Sequence, residues 1–436
     1  MKRLIWNATV LSLMIFSGLC HARPAADDSL TVAQAVRMTL ENHPLIQQAG
    51  CGVAAADARV GASRSPYYPD ISAAGLYTLL EPVASIDFPG LGSFKLYPPN
   101  NYDVHLGVRE TLYDFGKVST GVELAQSARR GAADYVDVVK SNLAYQTVGV
   151  FDAMLILRKS IVVLDEQIEA LEQHLAVSVK KMRAGTATDF DSLTTEVRIA
   201  AARNDRIDAG RALETQEILL RQLTGFPADR PIHVRGIIDE RPVPVREDSV
   251  LEAAKRQRPE LVVARDAENT AAVQARLASL GDKPSLVLGA TAGFKNGYIP
   301  DLDKMTANVV AGAQLLVPIF NGSRTRHQKE EADANVRSTG ARTADVQRQV
   351  VSEVEQAIAG VRSSRDKIEN SRVQVTHAEA ALARAQAQYE AGVATNLDLL
   401  DVQTALSQAK LIRLRAVYEY TVSLNALDKA TGRKIW

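Results

Sequence analysis

The decapeptide AGTATDFDSL, residues 184–193, returns 207 residues later as AGVATNLDLL, residues 391–400, with Ala, Gly, Ala, Thr, Asp and Leu in register. A chain that repeats itself at fixed spacing is restricted to folds assembled from like units, so the repeat is the strongest constraint the sequence offers. The same shift lays Tyr113-Asp114 on Phe320-Asn321, Arg158 on Arg365, Leu220 on Leu427 and Thr224-Gly225 on Thr431-Gly432, with no insertion between 113 and 225. Upstream, a shift of 215 lays HPLI (43–46) on RPEL (258–261) and Pro69 on Pro284. The extra residues of the first copy therefore fall between Pro69 and Tyr113. That interval holds the Pro- and Gly-rich EPVASIDFPGLGSFKLYPPNN (81–101), a loop that tolerates them.

The spacing divides the chain into a leader, 1–22, a first repeat, 23–225, a linker, 226–247, a second repeat, 248–432, and a short end, 433–436. The leader begins with Lys2 and Arg3, runs through the apolar LSLMIFSGL (11–19) and reaches Cys20-His21-Ala22, the pattern of a secretory signal. Bulky Leu19 before Cys20 favours cleavage after Ala22 over lipidation of the cysteine. Cys51 then remains alone, so no intrachain disulfide can staple the fold. The 51 basic residues balance 51 acidic ones, which leaves no long-range field to recruit nucleic acid. Beyond the leader no run of 18 apolar residues exists, and any membrane contact has to be made by strands.

From Lys117 to Arg183 there is no proline, and a seam stepping by four and three runs from Val118 to Met182 with 16 of its 19 positions apolar. One double step of four, Val150 to Met154, is a stutter that relaxes the supercoil. The spacing predicts a helix ~100 Å long at ~1.5 Å per residue, with a partner over 323–389 in the second repeat. Gly185 and Gly392 are placed to end these arms with positive φ, and Thr188 or Asp189, like Thr395 or Asn396, to cap the returning arms. Each repeat thus reads as a long helical hairpin, 117–223 and 323–430. The returning arms are shorter, so the helices at 31–65 and 248–281 are expected to stack end to end with them.

Between the helices lie strand pairs, 67–80 with 102–113 and 285–294 with 305–317. In 102–113, Tyr102, Val104, Leu106, Val108 and Leu112 alternate with Asp103, His105, Arg109 and Thr111, one oily and one wet face. Leu286 to Phe294 and Met305 to Val317 alternate likewise, whereas the run after Pro69 does so less clearly. Glu110 falls on the oily face, tolerable only close to a membrane interface. Strands of this length suit a bilayer, but four cannot close a barrel and open edges cannot face lipid, so a membrane role requires several chains to pool their strands. Soluble hairpins packed on their own helices are the alternative at this point.

The order of elements, with LYDFGK (112–117), VPIFNGSR (317–324) and the two Gly turns, resembles the TolC family of outer-membrane efflux proteins across the mature chain. The resemblance implies a mainly α fold with a small β part: a homotrimer whose four strands per chain complete a twelve-stranded barrel in outer-membrane lipid, and whose long helices form a coiled-coil α-barrel across the periplasm. It implies docking to a periplasmic membrane-fusion adaptor and an inner-membrane pump, and passive conduction of drugs, small molecules or polypeptides. Asp398 and Asp401 match the family's gate of aspartate rings, although two exposed acids near a helix N-terminus also complement its dipole. Tyr389 and Asp191 match a tip latch, read as a phenol–carboxylate hydrogen bond, while Ala394 departs from the basic residue some relatives carry there. Gly185, Thr186, Gly392 and Val393 match the tips that adaptors meet.

Catalysis has no visible seat. Histidines 43, 105, 174, 233, 327 and 377 stand singly, without ligand spacing or a cysteine pair, so no metal or cofactor is expected. An outer-membrane duct is therefore the leading expectation, a secreted periplasmic coiled-coil adaptor or scaffold the alternative, and an enzyme the least supported.

Overall fold

The computed structural model describes residues 29–90, 92–238 and 246–435; the leader, and with it the choice between Ala22 and Cys20, lies outside them. Chain order begins with β1 (Ser29–Leu30), α1 (Val32–Asn42) and α2 (Pro44–Arg64). Next come β2 (Asp70–Leu79), β3 (Ser85–Phe88), β4 (Gly92–Lys95), β5 (Asn100–Tyr113), α3 (Lys117–Arg183), α4 (Asp189–Thr224) and β6 (His233–Val234). The second repeat follows as α5 (Glu247–Gln257), α6 (Pro259–Ala278), β7 (Ser285–Lys295), β8 (Thr306–Leu316), α7 (Arg324–Glu390) and α8 (Asn396–Ala430).

The long arms α3 and α7 are both 67 residues, the equal lengths the repeat spacing requires. α3 packs against α2, α4, α6 and α8; α7 packs against α6 and α8. The predicted seam supplies buried Val122, Leu143, Met154, Leu164 and Leu171, but Ser127, Ser141 and Thr147, which lie off that seam, are buried as well. Small hydroxylated residues let a second helix approach closely, and Thr147 exemplifies how: it bonds Thr39 of α1 at 2.9 Å and the Leu143 carbonyl at 2.8 Å. An apolar count overlooks such contacts.

The end-to-end stacking has a defined joint in each repeat. Proline at the first position of α2 and α6 starts a new helix where α1 and α5 stop, since proline lacks the N–H a continuing helix would need. In the first joint Asn42 Nδ2 donates to the Thr224 carbonyl at 3.2 Å; in the second Arg258 Nη1 donates to the Lys429 carbonyl at 2.9 Å. Around them sit two apolar clusters, one containing Leu30, Ala35, Phe151, Met154 and Leu220, the other Ala254, Leu261, Val350, Val354 and Ala430. The expected linker is packed as far as residue 238. β6 pairs in parallel with β1, Ile232 and Val234 enter the first cluster, and Arg158 of α3 holds the carbonyls of Ile232 and Val234 at 2.7 and 3.2 Å.

The four predicted strands form one antiparallel sheet, ordered β2-β5-β7-β8, with β2 and β8 at its edges. Register aligns Ile71, Val108, Ala290 and Ala311 on one face, and Asp103 with Lys295 on the other. The oily face is open in a single chain: Ile71, Leu106, Val309 and Leu315 are each more than half exposed. Among the described residues the oily face of the sheet is not packed on the chain's own helices. One detail differs from strict alternation. A bulge between Thr111 and Tyr113 sets Tyr113 opposite Leu286, so Tyr113 holds the oily position expected for Leu112. Glu110 lies just before this bulge, at the helical end of the strand and away from its middle. β3 and β4 form a separate hairpin inside the loop that carries the first repeat's extra residues.

Both junctions from sheet to helix turn on two consecutive left-handed residues, Phe115-Gly116 (φ 57° and 88°) and Gly322-Ser323 (φ 64° and 63°). The repeat keeps the conformation and moves the glycine within it. Asp114 takes the N–H groups of Gly116 and Val118 at 3.0 and 2.7 Å, satisfying donors that the first turn of α3 leaves free.

Candidate functional site

The sheet and the helical tips are the two ends of each hairpin, and the candidate residues gather at the tips. α3 ends with Thr186 N–H on the Lys181 carbonyl and Gly185 N–H on that of Met182, both 2.9 Å; α7 repeats this with Val393 on Gln388 (2.8 Å) and Gly392 on Tyr389 (3.2 Å). This paired bonding needs a left-handed residue after the helix, and Gly185 and Gly392 supply it at φ 74° and 73°. All four turn residues are exposed, Val393 to 78%, so the tips present a bare apolar point beside backbone.

The threonines, and neither Asp189 nor Asn396, cap the returning arms. Thr188 pairs reciprocally with Asp191, and Thr395 with Asp398. Asp398 therefore serves its own helix. Its carboxylate accepts the Thr395 N–H at 2.9 Å and hydroxyl at 2.6 Å, and these bonds hold its pKa below the ordinary carboxylate value. Asp401, one turn on, meets Arg198 of α4 at 2.8 Å. Both acids are exposed, and Leu399 and Leu400 between them are buried.

Asp191 and Tyr389 are not bonded to each other within the chain. The Asp191 carboxylate is occupied by Thr188 N–H and hydroxyl, both at 2.9 Å. The Tyr389 ring instead meets two residues of α3: the His174 imidazole lies edge-on to it at 5.2 Å, and the Lys181 ammonium stands 3.9 Å from its centroid. His174 and Asn396, each 7% exposed, were not distinguished by sequence reasoning. They lie 222 positions apart, and the local signals around them are those of an ordinary helix interior and a helix start.

Among the described residues no group of three or more His, Cys, Asp or Glu could hold a metal ion, and no helix is long and apolar enough to cross a membrane. A groove of about 550 Å³ lies between α3, α6 and α7, with Tyr135, Val263 and Val346 along it and Arg258 at one end. Arg258 is engaged by the α8 carbonyl and by Glu353 at 2.5 Å, so the groove belongs to the joint.

A four-stranded sheet with two free edges and an uncovered oily face, joined to two helical hairpins with matching tips, defines a protomer of a membrane channel. The chain belongs to the outer membrane efflux protein family, which matches residues 35–226 and 250–433, and it is a protein of the outer membrane. It is 24% identical to the outer membrane protein TolC of Escherichia coli over 450 residues, covering 99% of this chain and 87% of that one. Protein CyaE of Bordetella pertussis is 24% identical over 387 residues, with 87% of this chain and 80% of CyaE covered. In fold, the chain is similar to the outer membrane protein VceC of Vibrio cholerae, with a TM-score of 0.77 at 18% identity over 92% of this chain and 96% of VceC.

Proposed function

We propose that this protein is the exit duct of a tripartite efflux or secretion assembly. Three copies close their sheets edge to edge, β8 of one chain against β2 of the next, into a twelve-stranded barrel in outer-membrane lipid. Their helices form a tunnel across the periplasm. The observation that carries this reading is the sheet itself: β2 and β8 each have a neighbour on one side only, and unpaired strand edges cannot stand in lipid. The number three rests on the family resemblance. The polar face, with Asp103 bonded to His105 at 2.9 Å, then lines the lumen.

In this reading Gly185, Thr186, Gly392 and Val393 meet a periplasmic membrane-fusion adaptor, which couples the duct to an inner-membrane pump. Asp398 and Asp401 ring the narrow end, where three copies concentrate negative charge and favour cations. Tyr389 and Asp191 belong to the tip latch, Tyr389 through its ring and Asp191 through its backbone carbonyl, which accepts from Asn396 Nδ2 at 3.2 Å. The duct is a passive conduit for drugs, small molecules or polypeptides, with no catalysis, metal or cofactor of its own.

Single-channel recording in planar bilayers tests the proposal. Wild type is expected to conduct with a preference for cations, and the double change Asp398→Asn/Asp401→Asn to weaken that preference. An assembled wild-type protein that forms no pore would sink the duct; unchanged selectivity in the double variant would remove the gate.

A further inference from the structure

At the foot of the second strand pair, where β8 gives way to α7, a groove of about 510 Å³ lies between the end of α6 and the start of α7. Its apolar lining is Ile319 and Phe320, which are 95% and 85% exposed. Its polar lining carries three cations, Lys283, Arg326 and Lys329, against one acid, Asp282. Arg326 is shared with Glu330 at 2.9 Å, whereas neither lysine ammonium has a hydrogen bond or an ion pair among the described residues. Thr325, also in the lining, accepts from Asn321 Nδ2 at 2.7 Å and keeps its own hydroxyl proton to donate.

The repeat shows that these cations are not needed to build the junction. The shifts of 215 and 207 hold within the sheet, since they carry the partners Ile71 and Val108 onto Leu286 and Leu315, which are partners in turn. By the same shifts Lys283 falls on Tyr68, Arg326 on Ser119 and Lys329 on Val122, so the first junction makes the same left-handed turn with none of the three. Phe320 falls on Tyr113, which holds an oily position opposite Leu286. Phe320 therefore continues the oily face at the helical edge of the sheet. β5 already has a strand on either side and Tyr113 is still 57% exposed, so a neighbouring strand along β8 leaves Phe320 open to lipid.

Exposed hydrocarbon beside unpaired ammonium groups at a membrane edge matches the two halves of a phospholipid, acyl chain and phosphate. We infer that this groove binds an anionic phospholipid of the leaflet facing the periplasm, its phosphate held by Lys283, Arg326 and Lys329 and its chains lying along Phe320 and Val317. A zwitterionic lipid fits less well, because its own ammonium offsets the attraction of the lysines. Bound there, one lipid per chain pins the start of α7 at the depth of the membrane surface. The inference rests on the duct reading for its orientation, with the helices on the periplasmic side, and on neither the gate nor the tips.

The test is the lipid kept by the assembled, detergent-extracted protein, counted by native mass spectrometry after exchange into phosphatidylglycerol or phosphatidylcholine with the same acyl chains. Wild type is expected to keep phosphatidylglycerol in preference to phosphatidylcholine. Lys283→Gln and Lys329→Gln should each weaken phosphatidylglycerol binding about fivefold, the factor given by ~1 kcal/mol per cation at a membrane surface, and leave phosphatidylcholine binding unchanged. Neither ammonium has a partner within the chain, so these changes leave the fold intact. Phe320→Ser should weaken both lipids. Lys95→Gln removes the same charge from β4, at the other end of the sheet, and should change neither. Equal retention of the two lipids by wild type overturns the site, as does a loss in Lys95→Gln that matches the loss in the groove variants. So does displacement of phosphatidylglycerol by an equal concentration of inorganic phosphate, which would make the groove an anion site without a lipid. Each of these results leaves the duct standing if assembled wild type conducts. Absence of a pore removes the duct, and a lipid that the lysine changes still release then keeps the site.

Discussion

Asp191 and Asp398 hold the same place in the two tips: each carboxylate takes the N–H and the hydroxyl of the threonine three residues before it, at 2.9 and 2.9 Å for Thr188 and 2.9 and 2.6 Å for Thr395. The acid proposed for the gate and the acid proposed for the latch are thus first of all helix caps. Their capping and charge roles separate by mutation. Thr395→Ala should cost about 1 kcal/mol, the usual penalty for a lost cap, and both it and Asp398→Asn should loosen the first turn of α8. Only Asp398→Asn should also reduce cation preference, whereas Asp191→Asn should weaken its helix and leave selectivity alone. Hydrogen exchange at the first turns and reversal potentials read the two effects independently.

The Thr395 bonds make Asp398 a stronger acid in the folded chain than in the unfolded one. Its contribution to stability is therefore present above the unfolded carboxylate pKa and is lost as pH falls through the lower, folded value. In an Asp401→Asn background, the remaining cation preference should survive acidification through the ordinary carboxylate range and disappear only below it. A titration of reversal potential centred at the ordinary value would mean that Thr395 does not hold the carboxylate in the assembled channel.

Arg198 sets how much of Asp401's charge the lumen feels. The pair is 2.8 Å apart and largely in water, so Arg198→Gln should change stability by no more than about 0.5 kcal/mol. The same substitution removes a cation from beside the carboxylate, and cation preference should rise, most clearly at low salt where screening is least. Matched melting curves and reversal potentials at two ionic strengths decide it.

What the sequence disclosed follows from which features are local. The span of α3 was legible because a proline-free run with an apolar seam ends at Gly185, and the tips because glycine and threonine recur at one spacing. The strands were legible from alternation, which fails where a bulge adds a residue, as at Thr111–Tyr113. The pairing of β1 with β6 was not legible: each strand is two residues long, and their hydrogen bonds depend on a groove made by α1, α3 and α4. Nor was the burial of Ser127, Ser141 and Thr147 in α3, because they look like surface residues until close helix contact makes small size the relevant property. At the tip the local caps were foreseen, whereas His174 and Asn396 meet only once both hairpins are folded.

Asp152 of α3 is a largely covered acid at the contact between α3 and α8. Burial raises its pKa to about 6, partly offset by the Asn425 amide of α8 donating at 2.8 Å. The folded value lies above the unfolded one, so stability from this group is highest in acid and falls as pH rises from about 4 to about 6. Asp152→Asn keeps an oxygen for Asn425 and removes the charge. It should stabilise the protein by about 2 kcal/mol at neutral pH and by little at pH ~4. Asp266, also raised to about 6 by burial and by neighbouring Asp134, retains its own share of the pH dependence in that variant. Melting temperatures of the detergent-extracted oligomer across this range provide the measurement, and equal shifts at both ends would refute a charge origin.

The two joints between stacked helices should differ in tolerance although the repeat makes them equivalent. Gly225 and Gly432 both adopt left-handed φ, 70° and 74°, and each faces the last residue of its repeat's first short helix: Asn42 of α1 in the first joint, Gln257 of α5 in the second. A Cβ on Gly225 would rest 3.5 Å from the Asn42 side chain, an ordinary contact, whereas a Cβ on Gly432 would come within 2.6 Å of the Gln257 carbonyl oxygen. Backbone cannot yield as a side chain does, and this backbone is pinned by Arg258, whose guanidinium is 5% exposed and bonded to the Lys429 carbonyl and Glu353. Gly225→Ala should therefore cost only the left-handed penalty, about 1 kcal/mol. Gly432→Ala adds a backbone clash and should cost about 3 kcal/mol or more, enough to lower the yield of assembled protein. Equal losses would show that the second joint relaxes freely, and Arg258→Lys, which removes the planar fork that grips both helices, would then be expected to cost little as well.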